Sequence, residues 1–230
     1  MRWVLAALAA LWVGAAFGME AETGKLTVTG QGRIDSAPDM ATITLGVSFD
    51  AQTAGAALEA SSTATARVLT ALQSLDIEAR DMQTRDLALQ VLWDNRSSSL
   101  KQQPKIIGYR SSNTVMIRVR DLPKLGMILD EVVETGANNF HGLSFGLQTP
   151  GPLQDQAREA AVQDAMRKAA LFAKAAGVTL GPLLSLSESG SAPQPMMMER
   201  MAAMSDAVPI AEGEVSVTAS VTMVFALQTP

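Results

Sequence analysis

No cysteine occurs anywhere in the 230-residue chain, and there is a single histidine, His141. The first absence excludes disulfides, thiolate metal ligands and cysteine nucleophiles, so the fold must be held by its own core. The second leaves too few imidazoles for a zinc or iron site, which takes several His, Cys or carboxylate ligands. Aromatic residues are sparse as well, with three Trp, one Tyr and six Phe. Basic residues never run beyond two in a row and the net charge is −5, so nucleic-acid phosphates and anionic lipid meet no basic face. Acidic residues are scattered, and none of their groupings resembles a calcium loop. Beyond the N-terminus, no apolar run is long enough to span a bilayer.

What is present begins at the N-terminus. Met1-Arg2-Trp3 opens with a positive charge, an apolar run follows from Val4 to Phe17, and small residues stand at Ala16 and Gly18. This is the layout of a secretory signal peptide over residues 1–18, with cleavage expected after Gly18. Counted from Trp3 to Gly18 the apolar stretch is about 16 residues, short of the roughly 20 that a spanning helix needs, and an uncleaved anchor is the alternative. Removing residues 1–18 takes away Arg2 and no acid, which moves the net charge from −5 to −6. With no cysteine for lipid attachment, the exported product is expected to be a soluble periplasmic protein, with outer-membrane association left open. Residues 19–230 are expected to form one domain.

Periodicity assigns the elements. Ala41, Ile43, Leu45, Val47 and Phe49 alternate with polar residues, the mark of a half-buried strand, and a shorter strand at 26–30 precedes it. Ala57, Leu58, Ser61, Ala64, Val68, Leu72 and Leu75 then fall at helical spacing. Strands are expected at 82–93, 109–119, 140–147 and 180–188. A helix capped by Asp121 and stopped at Gly136, and a long helix over 153–176 closed by Gly177, are expected between them. The long helix carries an alanine-rich seam at 157, 161, 165, 169 and 176, with Phe172 on it. Residues 190–213 form a Pro/Met-rich loop, and strict alternation from Val215 to Leu227 closes the chain. The order predicts an α+β fold, a mixed or largely antiparallel sheet with about three helices packed on it. Three helices interrupting the strands exclude an eight-stranded outer-membrane barrel.

Two motifs invite enzymatic readings and neither holds. Gly142-Leu143-Ser144-Phe145-Gly146 spells G-x-S-x-G, but alternation runs straight through Ser144 and no histidine follows it, so Ser144 and His141 are expected to be structural. Gly30-Gln31-Gly32 begins like a dinucleotide fingerprint, but Asp35 occupies the third glycine position and a strand follows. A turn or bulge is expected there. The remaining chemistry is soft. Met196, Met197, Met198, Met201 and Met204 are candidate Cu(I) ligands, or alternatively packing residues and sinks for oxidants. The alanine seam and the terminal strand are candidates for self-association. Trp93 and Tyr109 flank the polar loop at 94–105.

An ordered set of short motifs carries a further signal. Val28-Thr29-Gly30-Gln31-Gly32, Pro38-Asp39-Met40-Ala41, Gly108-Tyr109-Arg110, Asn113-Thr114-Val115 and Val119-Arg120-Asp121-Leu122 are followed by Gly136-Ala137-Asn138, Ala161-Val162-Gln163-Asp164-Ala165 and Ala175-Ala176-Gly177-Val178. In this order, over about residues 25 to 228, the chain resembles the SIMPL-domain family of bacterial envelope proteins. The resemblance implies an α+β protein that self-associates, in some members into ring- or channel-like homo-oligomers, with links to oxidative and envelope stress. It implies no catalytic residue and no cofactor. The expected function is therefore non-enzymatic: a self-associating periplasmic protein with a protective or scaffolding role, or alternatively a methionine-based Cu(I) or oxidant buffer.

Overall fold

The computed structural model describes residues 24–94, 105–189 and 210–228, so the expected signal peptide and the Met196–Met204 run lie outside the described residues. The elements follow the anticipated order: β1 (Lys25–Ser36), β2 (Met40–Ala51), α1 (Ala54–Ser74), β3 (Met82–Trp93), β4 (Ile106–Val119), α2 (Leu125–Thr135), β5 (Asn139–Gly146), α3 (Gly151–Ala176), β6 (Thr179–Ser189) and β7 (Val215–Gln228). The strands divide between two sheets, one of order β3-β4-β2-β5 and one of order β1-β7-β6. Every pairing is antiparallel. The fold is α+β.

In the larger sheet, alternation sends one face of β2 and β4 inward. Ile43, Leu45 and Val47 lie beside Val115, Ile117 and Val119, all fully buried. Ala64, Val68 and Leu72 of α1 and Ile128 and Val132 of α2 close over them to form one core. Thr53 caps α1, its hydroxyl accepting from the Ala56 N–H at 3.3 Å. The expected cap on the next helix is not made. Asp121 offers no side-chain bond, and the proline that follows it starts a short 3₁₀ turn, Leu122–Lys124, from which α2 grows. One buried polar pair, Ser61 Oγ and Ser111 Oγ at 2.7 Å, ties α1 to β4 inside this core.

The smaller sheet is built from the two ends of the described chain. β1 and β7 pair over their full overlap, from Lys25↔Ala226 to Ser36↔Val215. Here the structure corrects the reading of Gly30 and Gly32, which stand in the middle of β1 rather than in a turn or bulge. A Cβ at Gly30 would strike the carbonyl of Ala161, and one at Gly32 would strike that of Ala157, each well inside van der Waals distance. The missing side chains are what let α3 lie directly on the strand. Facing them are Ala157, Ala161, Ala165, Ala169 and Ala173, the buried seam of α3. The seam therefore ends at Ala173; Phe172 is about half exposed and Ala176 is exposed, because a helix held this close to a strand has no room for a ring. Gly177 (φ 68°) closes α3 as expected, with the Val178 N–H bonded to the Ala173 carbonyl at 3.0 Å.

Adding one methyl group tests this contact. Gly32→Ala should lower stability to urea by about 3 kcal/mol, the upper range for forcing atoms into a packed site. Gly126→Ala, on α2 where an added Cβ meets nothing within 4 Å, should be neutral or stabilising by up to about 1 kcal/mol.

Candidate functional site

Polar side chains converge where the two sheets join. Asp81 immediately precedes β3, Arg120 follows β4, Gln148 follows β5, and Asp39 lies in the short link between β1 and β2. The Asp81 carboxylate is buried and accepts two bonds from Arg120, Nε at 2.6 Å and Nη2 at 2.7 Å. Arg120 Nη1 donates onward to Gln148 Oε1 at 3.3 Å. Gln148 in turn donates its amide to the Asp39 carbonyl and its backbone N–H to Asp39 Oδ1, both at 2.7 Å. Asp39 N–H completes the chain by donating to the Gly146 carbonyl at 3.1 Å. A bidentate guanidinium–carboxylate pair is the strongest kind of ion pair, and here it anchors a relay of bonds across the link between the sheets.

Arg120's hydrogen bonds hold the Asp81 carboxyl below the ordinary carboxylate range against the opposing cost of burial, and the charges of Arg120, Arg118 and Arg80 add to the effect. Beside the pair lies a small cavity of about 140 Å³ with a mixed lining, Ile77, Val119 and Ile128 on one hand and Asp76, Arg118, Asp121 and Lys124 on the other. Its charges are largely spent on one another. Lys124 Nζ sits 3.2 Å from Asp76, whereas Arg118 Nε, buried and without a hydrogen-bond partner among the described residues, stands 3.7 Å from Asp81, close enough for charge attraction only. Such a set can hold a link rigid, but it presents no nucleophile with an adjacent base.

A second concavity is apolar. α2 and the start of β5 enclose a groove of about 420 Å³, with Leu45 and Leu129 in its wall and Val133 and Phe140 exposed at its rim. Exposed apolar residues also line the edge strand β3, at Leu87, Leu89, Val91 and Trp93. Tyr109 pairs with Val91, and Trp93 with Ile106.

The residues singled out by motif fall elsewhere. Ser144 sits mid-strand opposite Thr42, and the next helix begins at Gly151, so the strand–turn–helix elbow of a hydrolase is not formed. His141 is exposed on β5 at a bulge in the pairing with β2. Among the described residues, no group of three or more His, Asp or Glu is arranged to hold a metal ion, and no helix is long and apolar enough to cross a membrane. The relay through Asp81, Arg120, Gln148 and Asp39 was not anticipated, since its members are far apart in sequence and have no shared spacing.

Two antiparallel sheets, the larger carrying α1 and α2 and the smaller α3, with a polar relay at their junction, define an α+β class. The model of the family described as SIMPL, a protein of unknown function (DUF541), matches residues 26–225, and the chain belongs to that family. It is 37% identical over 219 residues to the 26 kDa periplasmic immunogenic protein of Brucella melitensis, covering 91% of this chain and 87% of the relative. It is also 31% identical over 222 residues to the uncharacterized protein YggE of Escherichia coli, covering 93% and 87%.

Removing the carboxylate tests the relay. Asp81→Asn should cost about 2–3 kcal/mol at neutral pH, because Arg120 loses its ionised partner. The folded carboxyl titrates below its unfolded value near 4, so its contribution is complete above that pH and disappears as pH falls through the folded value. Urea titrations of wild type and variant should therefore converge on the acid side.

Proposed function

We propose that this chain is an exported, non-enzymatic periplasmic protein that works by associating with copies of itself, as a protective or scaffolding component under oxidative or envelope stress. The observation that carries this reading is the apolar surface of the larger sheet. A row of exposed leucine, valine and tryptophan on β3 and an open apolar groove at the opposite edge are unusual for a protein that acts alone. The signal-like N-terminus and the periplasmic name of the Brucella relative support the location. The mid-strand place of Ser144 and the spent charges around Asp81 support a non-catalytic role.

Light scattering on the purified protein tests the assembly. Particles larger than one chain are expected at tens of micromolar, and a strict monomer at that concentration removes the reading. Deletion of the gene should lower survival of peroxide, and restoration by a Ser144→Ala/His141→Ala double variant is expected if no chemistry resides there.

A second reading rests on the five methionines between 196 and 204, whose thioethers are soft ligands suited to Cu(I) or sinks for oxidants. Cu(I) titration of wild type and a variant with all five replaced decides it, equal binding by both ending the idea.

A further inference from the structure

The larger sheet has two free edges, and they differ in a complementary way. On β3 the run Leu87-Ala88-Leu89-Gln90-Val91-Leu92-Trp93 contains no charge, proline or glycine, the usual devices that protect an edge strand. Leu87, Leu89 and Val91 lie opposite Asn113, Ser111 and Tyr109 of β4, and Ser111 is bonded to Ser61 of α1, which places the stripe on the helical side of the sheet. Among the described residues no helix covers it: α1 lies over β4 and β2, with little reach to β3. The free edge of β1 is handled quite differently, since Asp164 Oδ2 accepts from the Gln31 N–H at 3.0 Å and Lys168 Nζ donates to the Thr29 carbonyl at 3.0 Å. At the opposite edge of the larger sheet, β5 carries Phe140, Leu143 and Phe145 on the helical side, opposite Leu45, Ile43 and Ala41. There α2 stands over the edge with the groove beneath it. Among the described residues, one edge has an uncovered apolar stripe, and the other has an apolar groove with no stripe to fill it.

We infer that β3 of one copy pairs antiparallel with β5 of a second copy, seating the β3 stripe in the groove under the neighbour's α2. This deepens the self-association proposed above and rests on it. Three features commit the site to a second copy. Within the sheet β5 already runs antiparallel to β3, so two copies in the same orientation meet with the antiparallel sense kept and all helices on one side. The apolar positions also match in phase. Leu87 falls opposite Phe145 and Leu89 opposite Leu143; the bulge that leaves His141 unpaired with β2 then brings Phe140 opposite Val91, and Trp93 reaches the mouth of the groove. Finally, the area is adequate. With Leu87 55%, Leu89 50%, Val91 39% and Trp93 48% exposed, and Ile106 beside them, the stripe offers about 500 Å². Val133 and Phe140 add about 250 Å² on the other side, which at the usual apolar fraction reaches the size of a specific interface. Because the contact joins unlike surfaces, each copy keeps one free edge of each kind, and growth ends only when a ring closes.

A chain without cysteine allows a direct test. In the proposed register Ala88 and Ser144 face each other across the new pairing, on the side away from the helices. Variants Ala88→Cys and Ser144→Cys are purified separately, mixed, and treated with a short bis-maleimide. Cross-linked dimers are expected in the mixture and not in either variant alone, and the double variant should give a ladder of multimers. Leu89→Arg, at a half-exposed position that the monomer fold does not need, should abolish both the ladder and the light-scattering oligomer while leaving the circular dichroism unchanged. Cross-linking of Ala88→Cys alone, as readily as in the mixture, would mean a two-fold β3–β3 contact and overturns the inference. Oligomers by scattering without a mixture-specific cross-link place the interface elsewhere and overturn it while leaving self-association standing. A monomer throughout removes both and leaves the stripe to a different protein.

Discussion

The smaller sheet depends on a contact between backbones. α3 lies on β1 because Gly30 and Gly32 have no side chains and the facing seam of α3 has only methyl groups. At that distance the helix can also serve the strand's edge, through Asp164 and Lys168. Three donors, from Lys168, the Gln31 backbone and Arg167, pull the Asp164 carboxyl well below the usual carboxylate range. Close approach thus produces dense packing and edge protection together. It also sets what cannot be there: large side chains such as Phe172 are turned outward. The rest of the lobe, including the tie from Arg158 to Glu188 of β6 at 2.8 Å, follows from where α3 has been placed.

The larger sheet solves the same problem by other means. Its core is made of branched side chains, Ile43, Val47, Val68, Ile117 and Val132 among them, contributed by both strands and helices. A groove lies under α2, and among the described residues the apolar side chains of β3 are left exposed. The link between the sheets is short, and Asp39 in it is bonded by Gln148 and by the Gly146 carbonyl, with Arg120 and Asp81 holding Gln148 from behind. Among the described residues, one lobe is therefore finished at its β1 edge, the other is open at both of its edges, and a charged relay joins them.

Most of the element order was legible from periodicity alone, because β2, β7 and α1 alternate or repeat cleanly between surfaces of opposite polarity. The division into two sheets was not. Alternation reports that a strand has one buried face, without saying which strand it pairs with, and β1 finds its partner at the far end of the chain. Gly30 and Gly32 were misread for a related reason: a glycine pair in sequence looks alike whether it makes a turn or admits a helix. Asp121 suggested a helix cap, but the proline after it favoured a 3₁₀ turn first. Of the candidate site, the strand position of Ser144 was visible in its neighbours, whereas the Asp81 relay is assembled from four distant segments and leaves no local mark. The apolar alternation of β3 was visible too, but a sequence cannot show that no helix lies over it.

The pairing of β1 with β7 has a consequence for how the molecule comes into being. Strands separated by nearly the whole chain must find each other, and such long-range closure is slow compared with the hairpins and helices of the larger sheet. A chain synthesised N-terminus first presents β1 early and β7 last. Until the final segment arrives, β1 has no strand partner and α3 has only half its platform. The glycine–alanine contact is then a late event, and completion of the smaller sheet acts as a seal that closes only once β7 has been made.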